Sequence, residues 1–354
     1  MRYALLILSS FLMAACAAPQ PGPTPAATPE TSPSPTPRPD VNPHREPEPQ
    51  FPGGVPWGSS VDEAKAVALK QGKRLFIEFT GHGCIPCAKL EKKVWPSAEL
   101  AARIHRDYVA VQIWDDGDRD AGRDYDIQVI PSLIVAEADG TLLIKQVGPP
   151  FMSPNAAITW FDDIPARLKV VADAEAAAKN RPEDFFAQLD LYRARQTVGR
   201  TDSADLALTA AEKLAGEDAG RKLEIDIARL CVLSARQKLS AAKEIAERVA
   251  KALVEKNDPR LPELGLVIVD VYAFCNKYTE ARELAFKVNT VAPKNPDVLQ
   301  YKVRAAYAAF RAGDKATAKT ELDAIIAAGP EDDLWVSTAK EIRDNAFKSS
   351  NSGG

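Results

Sequence analysis

The sequence predicts an α/β domain followed by an all-α domain of helical repeats, and three observations lead there. Between about residues 57 and 150, short apolar runs alternate with helical patterns in the order helix, strand, Cys-x-x-Cys, helix, strand, proline, hairpin, helix. From about 155 to 346 the chain is rich in Ala, Leu, Glu and Lys at helical spacing and has no strand pattern. Within that second stretch the sequence aligns with itself: Ala281 falls on Ala318 and Pro293 on Pro330, each 37 residues further on.

The 354 residues suffice for two domains, and 45% hydrophobic with 27% charged residues is ordinary globular composition. A formal charge of -4, with acids and bases interspersed and no basic block, argues against nucleic acid as a partner. The amino terminus, "MRYALLILSSFLMAACAAP", has one early positive charge, about ten apolar residues and then small ones, the pattern of a secretory signal too short to span a bilayer. Met13-Ala14-Ala15-Cys16 resembles the bacterial lipobox, which implies a signal over 1–16 and a lipidated Cys16 as the mature terminus. An ordinary cleavable signal with an incidental cysteine is the alternative. Residues 17–56 hold 14 of the 27 prolines and almost nothing large and apolar, so they read as an extended, disordered tether with a reach of about 120 Å. An acyl anchor and a stiff spacer would hold the folded part outside the cytoplasmic membrane.

The folded pattern starts at Trp57. "VDEAKAVALKQ" (61–71) places Ala64, Val67 and Ala68 at helical spacing after Ser59-Ser60, "RLFIEF" (74–79) is a short apolar strand, and Cys84 and Cys87 follow at once. "CAKLEKKVW" continues as helix, "DYVAVQIW" alternates as a strand, and "SLIVAEADGTLLIKQ" is a hairpin turning at Asp139-Gly140. A helix starting near Cys84 would set that sulfur beside unpaired amides at the positive end of the dipole, which favours a thiolate. Cys87, three residues on, shares the face and can close a disulfide, while Pro86 is tolerated where amides lack helical partners. Cys84 is then the attacking sulfur. A zinc site is the first competitor, but there is no second Cys-x-x-Cys and only His82 is near. Two incidental thiols are the second. The acidic run "DDGDRDAGRDYD" (115–126) lacks the spacing and closing Glu of a calcium loop and reads as a solvated loop. Neither a metal nor a cofactor is expected.

"GKRLFIEFTGHGCIPCAKLEKKVW" resembles the thioredoxin superfamily, more narrowly its exported, disulfide-interchange branch. The resemblance implies a thioredoxin-like domain over 57–172, with Cys84 and Cys87 as the redox pair. It also implies that Glu78, six residues before Cys84, is the buried carboxylate that helps move protons; an acid facing water is the alternative. Pro131 in "VIPS" matches the cis-proline beside the dithiol, and Gly148 the glycine after the last strand. Departures are Gly83, where the family usually has Trp, and Ile85-Pro86 between the cysteines. The absence of His before Cys87 and the Ile at 130 resemble reducing members.

The stretch 173–346 resembles tetratricopeptide repeats. "YAFCNKYTEARELAFKVNTVAPKNP" (272–296) aligns with "YAAFRAGDKATAKTELDAIIAAGPED" (307–332), 224–253 is a third copy and 185–215 a fourth. Each helix pair needs neighbours to cover its apolar face, so several copies make physical sense. Cys231 and Cys275 lie on apolar helical stretches, and 347–354 is a flexible tail. No Ser/His/Asp triad is supported, because no histidine follows His105. The expectation is a lipid-anchored extracytoplasmic thiol:disulfide oxidoreductase on a bacterial membrane. Its partners would be protein disulfide or thiol clients and an unidentified redox partner, with the repeats holding one of them. The competing reading is an adaptor or chaperone that acts through the repeats alone.

Overall fold

The computed structural model describes residues 51–347 apart from 52, 115, 116, 118, 331 and 332. The signal, Cys16, most of the tether and all but the first residue of the flexible tail lie outside the described residues. Contacts divide the described chain into two compact units, 51–211 and 212–347.

In the first unit, α1 (Val61–Gln71) starts where the Ser60 hydroxyl accepts a hydrogen bond from the Glu63 amide at 3.3 Å, and it stops at left-handed Gly72. Its buried residues are Val61, Ala64 and Ala68. Val67, expected with them, is exposed, because at 100° per residue it falls at the edge of that stripe. The strands are β1 (Arg74–Phe79), β2 (Tyr108–Ile113), β3 (Ser132–Ala136) and β4 (Leu142–Val147). They lie in the order β2-β1-β3-β4, with β1 parallel to β2 and the β3–β4 hairpin antiparallel to β1. Between β1 and β2 come α2 (Ile85–Lys93) and α3 (Ala98–Asp107), and between β2 and β3 the short α4 (Arg119–Asp124). The run expected as a wholly solvated loop thus contains one helical turn and a buried Tyr125.

β1 is paired at both edges and has helices on both faces, and the period-2 alternation of a strand sorts its side chains between them. Leu75, Ile77 and Phe79 pack with α1 residues Val61, Ala64 and Ala68. Phe76 faces the other way, onto Leu90 and Val94 of the α2 region, Leu100 and Ile104 of α3, and Phe161 and Ile164 of α5 (Pro154–Asn180). Glu78, two residues beyond Phe76, is on that second face. Fully burying a side chain such as Phe161 contributes roughly 1.5–3 kcal/mol, enough to fix α5 against the sheet.

The expected junction at 172/173 falls inside α5, which continues without a break to Asn180. Beyond it, α6 (Phe185–Thr197) and the start of α7 (Thr201–Ala215) belong to the same unit. The α6–α7 turn covers the sheet edge: the Lys145 amide of β4 donates to the Val198 carbonyl at 2.8 Å. Gly199 has φ +70°, and a Cβ there would lie 1.9 Å from the Lys145 carbonyl oxygen. Only glycine lets the turn approach this closely.

The second unit is helical: the end of α7, then α8 (Ala219–Ala235), α9 (Leu239–Glu255), α10 (Leu261–Phe274), α11 (Tyr278–Val291), α12 (Val298–Arg311), α13 (Lys315–Ala328) and α14 (Leu334–Phe347). The α10/α11 pair and the α12/α13 pair start and stop at positions 37 residues apart, as the sequence offset predicts. Ala281 and Ala318, the matched small residues, are both fully buried where paired helices approach closely. Ile268, Val271, Tyr272, Ala305, Ala306 and Ala309 are buried as expected of the first helices. Cys275 is a free thiol with Sγ 3.8 Å from the Leu239 carbonyl, so a 231–275 disulfide is not present. Among the described residues no helix is long and apolar enough to cross a membrane.

Candidate active site

β1 ends at Phe79, and the chain turns through 80–83 into Cys84, the N-cap of α2. Gly83 has φ +74° with nothing within 4 Å of where a Cβ would stand, so backbone conformation and not space favours glycine where the superfamily usually has Trp. Cys84 and Cys87 form a disulfide with their Cα atoms 5.3 Å apart, and the Cys84 sulfur accepts from the Cys87 amide at 3.3 Å. In the reduced protein that amide, with the other unpaired amides of the first turn, would stabilise a Cys84 thiolate. The two sulfurs are unequal: Cys87 is 1% exposed, whereas Cys84 is half-buried beside Ile85, which is 71% exposed. A thiol arriving from solution reaches Cys84 first.

Glu78 is fully buried, so the alternative of an acid facing water is overturned: its face of β1 is covered by the α2 region, α3 and α5. One carboxylate oxygen accepts from the Trp95 indole at 3.1 Å and the other from the Gln112 amide at 2.9 Å. Burial pushes the Glu78 carboxyl up to about 7, against the pull of those hydrogen bonds and with a further push from the Glu91 charge. The Gln112 amide also donates to Glu91, and its own oxygen accepts from the Trp114 indole at 3.2 Å.

Two shallow clefts open on this layer. One is lined by Cys84, Cys87, Glu91, Lys92, His82 and Trp114, among others. The second, more enclosed, is lined by Phe79, Ile113, Ile127, Val129 and Ile130, among others. They share Thr80 and Trp114. Thr80 is 1% exposed and its hydroxyl has no protein partner among the described residues, leaving one polar atom at the meeting point. The Ile130–Pro131 peptide is cis, Pro131 is buried, and its carbonyl accepts from the Gly148 amide at 2.9 Å. Ile130 lines the second cleft and the cysteines the first, with Trp114 in the wall of both. His82 is exposed, with its ring 4.8 Å from that of Trp114. Cys16 lies outside the described residues.

The sequence reading did not single out Glu91, Gln112 or Trp114. Glu91 had a signal: it is four residues after Cys87 and so on the same face of α2. Gln112 and Trp114 had only the alternation of β2, which does not reveal that β2 pairs in parallel with β1 to set Gln112 opposite Glu78.

Residues 61–164 match a family model described as a thioredoxin-like domain. The chain thus has a thioredoxin-like α/β domain followed by a long all-helical region of about ten helices. Among solved structures, one titled DsbH oxidoreductase is 18% identical, covering 33% of this chain and 86% of its own, with a TM-score of 0.27. Another, from a study of thiol resolution in a yeast mitochondrial 1-Cys peroxiredoxin, is 20% identical, covering 31% and 94%, with a TM-score of 0.24. No curated protein sequence matches the chain.

Proposed function

We propose that the chain is a thiol:disulfide oxidoreductase, lipid-anchored through Cys16 outside the cytoplasmic membrane, that reduces or exchanges the disulfides of client proteins. The observation that carries this reading is the asymmetric disulfide: an accessible Cys84 at a helix N-terminus, a buried Cys87 behind it, and a buried carboxyl pushed toward neutrality that is tied through Gln112 to Glu91 in the cleft wall.

In the reduced protein the Cys84 thiolate attacks one sulfur of a client disulfide. The bond to the second client sulfur breaks and that sulfur leaves as a thiolate, so a mixed disulfide forms. Cys87 then gives up its proton to the ionised Glu78, whose affinity near pH 7 matches that task, and its thiolate attacks Cys84. The remaining client sulfur departs and takes up a proton. Two electrons have passed to the client, the Cys84–Cys87 disulfide is closed, and a separate thiol-bearing redox partner must reopen it. Glu91, at the cleft wall and tied to Glu78 through Gln112, holds the Glu78 proton affinity up by its like charge. Pro131 and Ile130 would border the client strand. The helical pairs, which resemble tetratricopeptide repeats, would hold the client or the redox partner.

Equilibration of the full chain in graded thiol/disulfide buffers, read by alkylation and mass spectrometry, tests the core of this. A reversible two-electron transition at 84–87 is expected. Cys84→Ser should abolish turnover, and Cys87→Ser should accumulate mixed disulfides through Cys84. Equal turnover by wild type and Cys84→Ser would leave the adaptor reading, in which client binding survives loss of both cysteines. Mass analysis of the mature amino terminus tests the lipid on Cys16.

A further inference from the structure

We propose that Gln112 is a positioning residue that locks Glu78, Glu91 and Trp114 into one unit, so that the proton state of the buried carboxyl and the wall of the client cleft are set together. The proposal rests on the oxidoreductase reading above for its catalytic consequence. Its structural content stands separately.

Three hydrogen bonds converge on this one amide. Its nitrogen donates to Glu78 Oε2 at 2.9 Å and to Glu91 Oε1, and its oxygen accepts from Trp114 Nε1 at 3.2 Å. An amide nitrogen carries two hydrogens, and both are used on carboxylate oxygens. The orientation has no alternative: turning the amide over would set an oxygen against two carboxylates and an NH2 group against an indole N–H. The neighbours are fixed in turn. Glu78 is held on its other oxygen by Trp95, and the Trp114 ring lies tilted against His82 in the cleft that holds Cys84.

A neutral bridge also has an electrostatic consequence. Gln112 brings two acids to one group without neutralising either. Among the described residues, the ionisable groups about the bridge are Glu91 and Lys92 of α2, His82 on the loop, and Cys84 and Cys87 once reduced. Lys92 is exposed on the helix surface, so among the described residues about the bridge no buried cation offsets the acid pair. The two donors to Glu78 favour its ionised form, while burial and Glu91 favour the protonated one. Removing the Gln112 donor therefore shifts the balance toward the protonated acid. Cys87 would lose its proton acceptor at physiological pH.

The test is the pH titration of the Glu78 carboxyl, followed by carbon-13 NMR in the full chain, in wild type, Gln112→Leu and Gln112→Asn. Leu keeps the volume and removes all three bonds. Asn keeps the amide on a stem one methylene too short to reach both acids, and serves if the Leu variant does not fold. The Glu78 midpoint should rise by about one pH unit in either variant. Mixed-disulfide resolution at pH 6 should slow by about tenfold, with the loss recovered at high pH. A Glu78 midpoint within a few tenths of wild type in a folded variant would overturn the proposal, even if activity falls, because a merely structural Gln112 would lower activity without moving the titration. A wild-type dithiol that exchanges with no protein disulfide would sink the oxidoreductase reading, and the carboxyl titration would still decide the role of Gln112.

Discussion

Each of the two units buries an ionisable side chain deeply, and the two are kept in opposite ways. Arg304, in α12 of the helical unit, is 5% exposed and bound at two points to Asp270 of α10, with distances of 2.7 and 3.0 Å. Its guanidinium also lies 5.2 Å from the centre of the Trp335 ring. Glu78, in β1 of the α/β unit, meets only neutral donors, Trp95 and Gln112, with a second acid close by. The arginine's charge is met by a carboxylate at two points. The glutamate has no cation beside it among the described partners, and burial pushes its proton affinity into the neutral range. A paired buried charge is architecture joining two helices; an unpaired one is a proton site, and it is linked through Gln112 to Glu91 in the wall of the cleft that holds the cysteines.

Substitutions that separate the two cases bear on this comparison. The largest effect should come from Arg304→Met, which leaves Asp270 without its partner and should destabilise the helical unit by about 3–5 kcal/mol. Replacing Asp270 by Leu in the same chain should restore most of that loss. Urea unfolding followed through Trp335, the one tryptophan of the helical unit, reads it out. A single substitution costing less than about 1 kcal/mol would mean that the pair is not the strut it resembles.

Glu78→Gln should act in the other direction. Because the folded carboxyl titrates at about 7 and the ordinary value is 4.5, the folded state binds more protons between those limits. Its contribution is fully present below pH 4.5 and is lost as pH rises to 7, at about 3 kcal/mol in all. The depressed carboxyls, such as Asp107 and Asp126, lose their contributions only below the ordinary Asp value, so the windows do not overlap. The α/β unit of Glu78→Gln should therefore be more stable than wild type at pH 8 by about 3 kcal/mol and little changed at pH 4, while resolution of mixed disulfides slows. Hydrogen exchange in β1 across that range measures it; a parallel pH dependence in both proteins would sink the assignment. The smallest effect belongs to Glu91→Gln, which removes only the like charge. The upper end of the pH slope should move down by less than about one pH unit, with no change at pH 4.

Much of this was legible from local pattern. Cys84 and Cys87 at a strand-to-helix junction, the hairpin at Asp139-Gly140 and the 37-residue offset are short-range features, and periodicity and turn chemistry report them directly. Pro131 was assigned by resemblance, and its peptide is cis. The edge of the α/β unit was not legible. Periodicity assigns helices beyond residue 154 but does not say which sheet they cover, and the turn at Gly199 docks on Lys145, more than fifty residues earlier.

The sequence by itself determined the order and type of the elements, the sulfur pair and the helical repeat, because each depends on residues within a turn or two of one another. Tertiary structure decided what Glu78 is. Its burial follows from the helices packed on that face of β1, its partners come from β2 and from just beyond α2, and Gln112 is 34 residues away along the chain. Proton affinity depends on the solvent and charge around a group once the chain has closed over it, and that environment is assembled from segments no local pattern links.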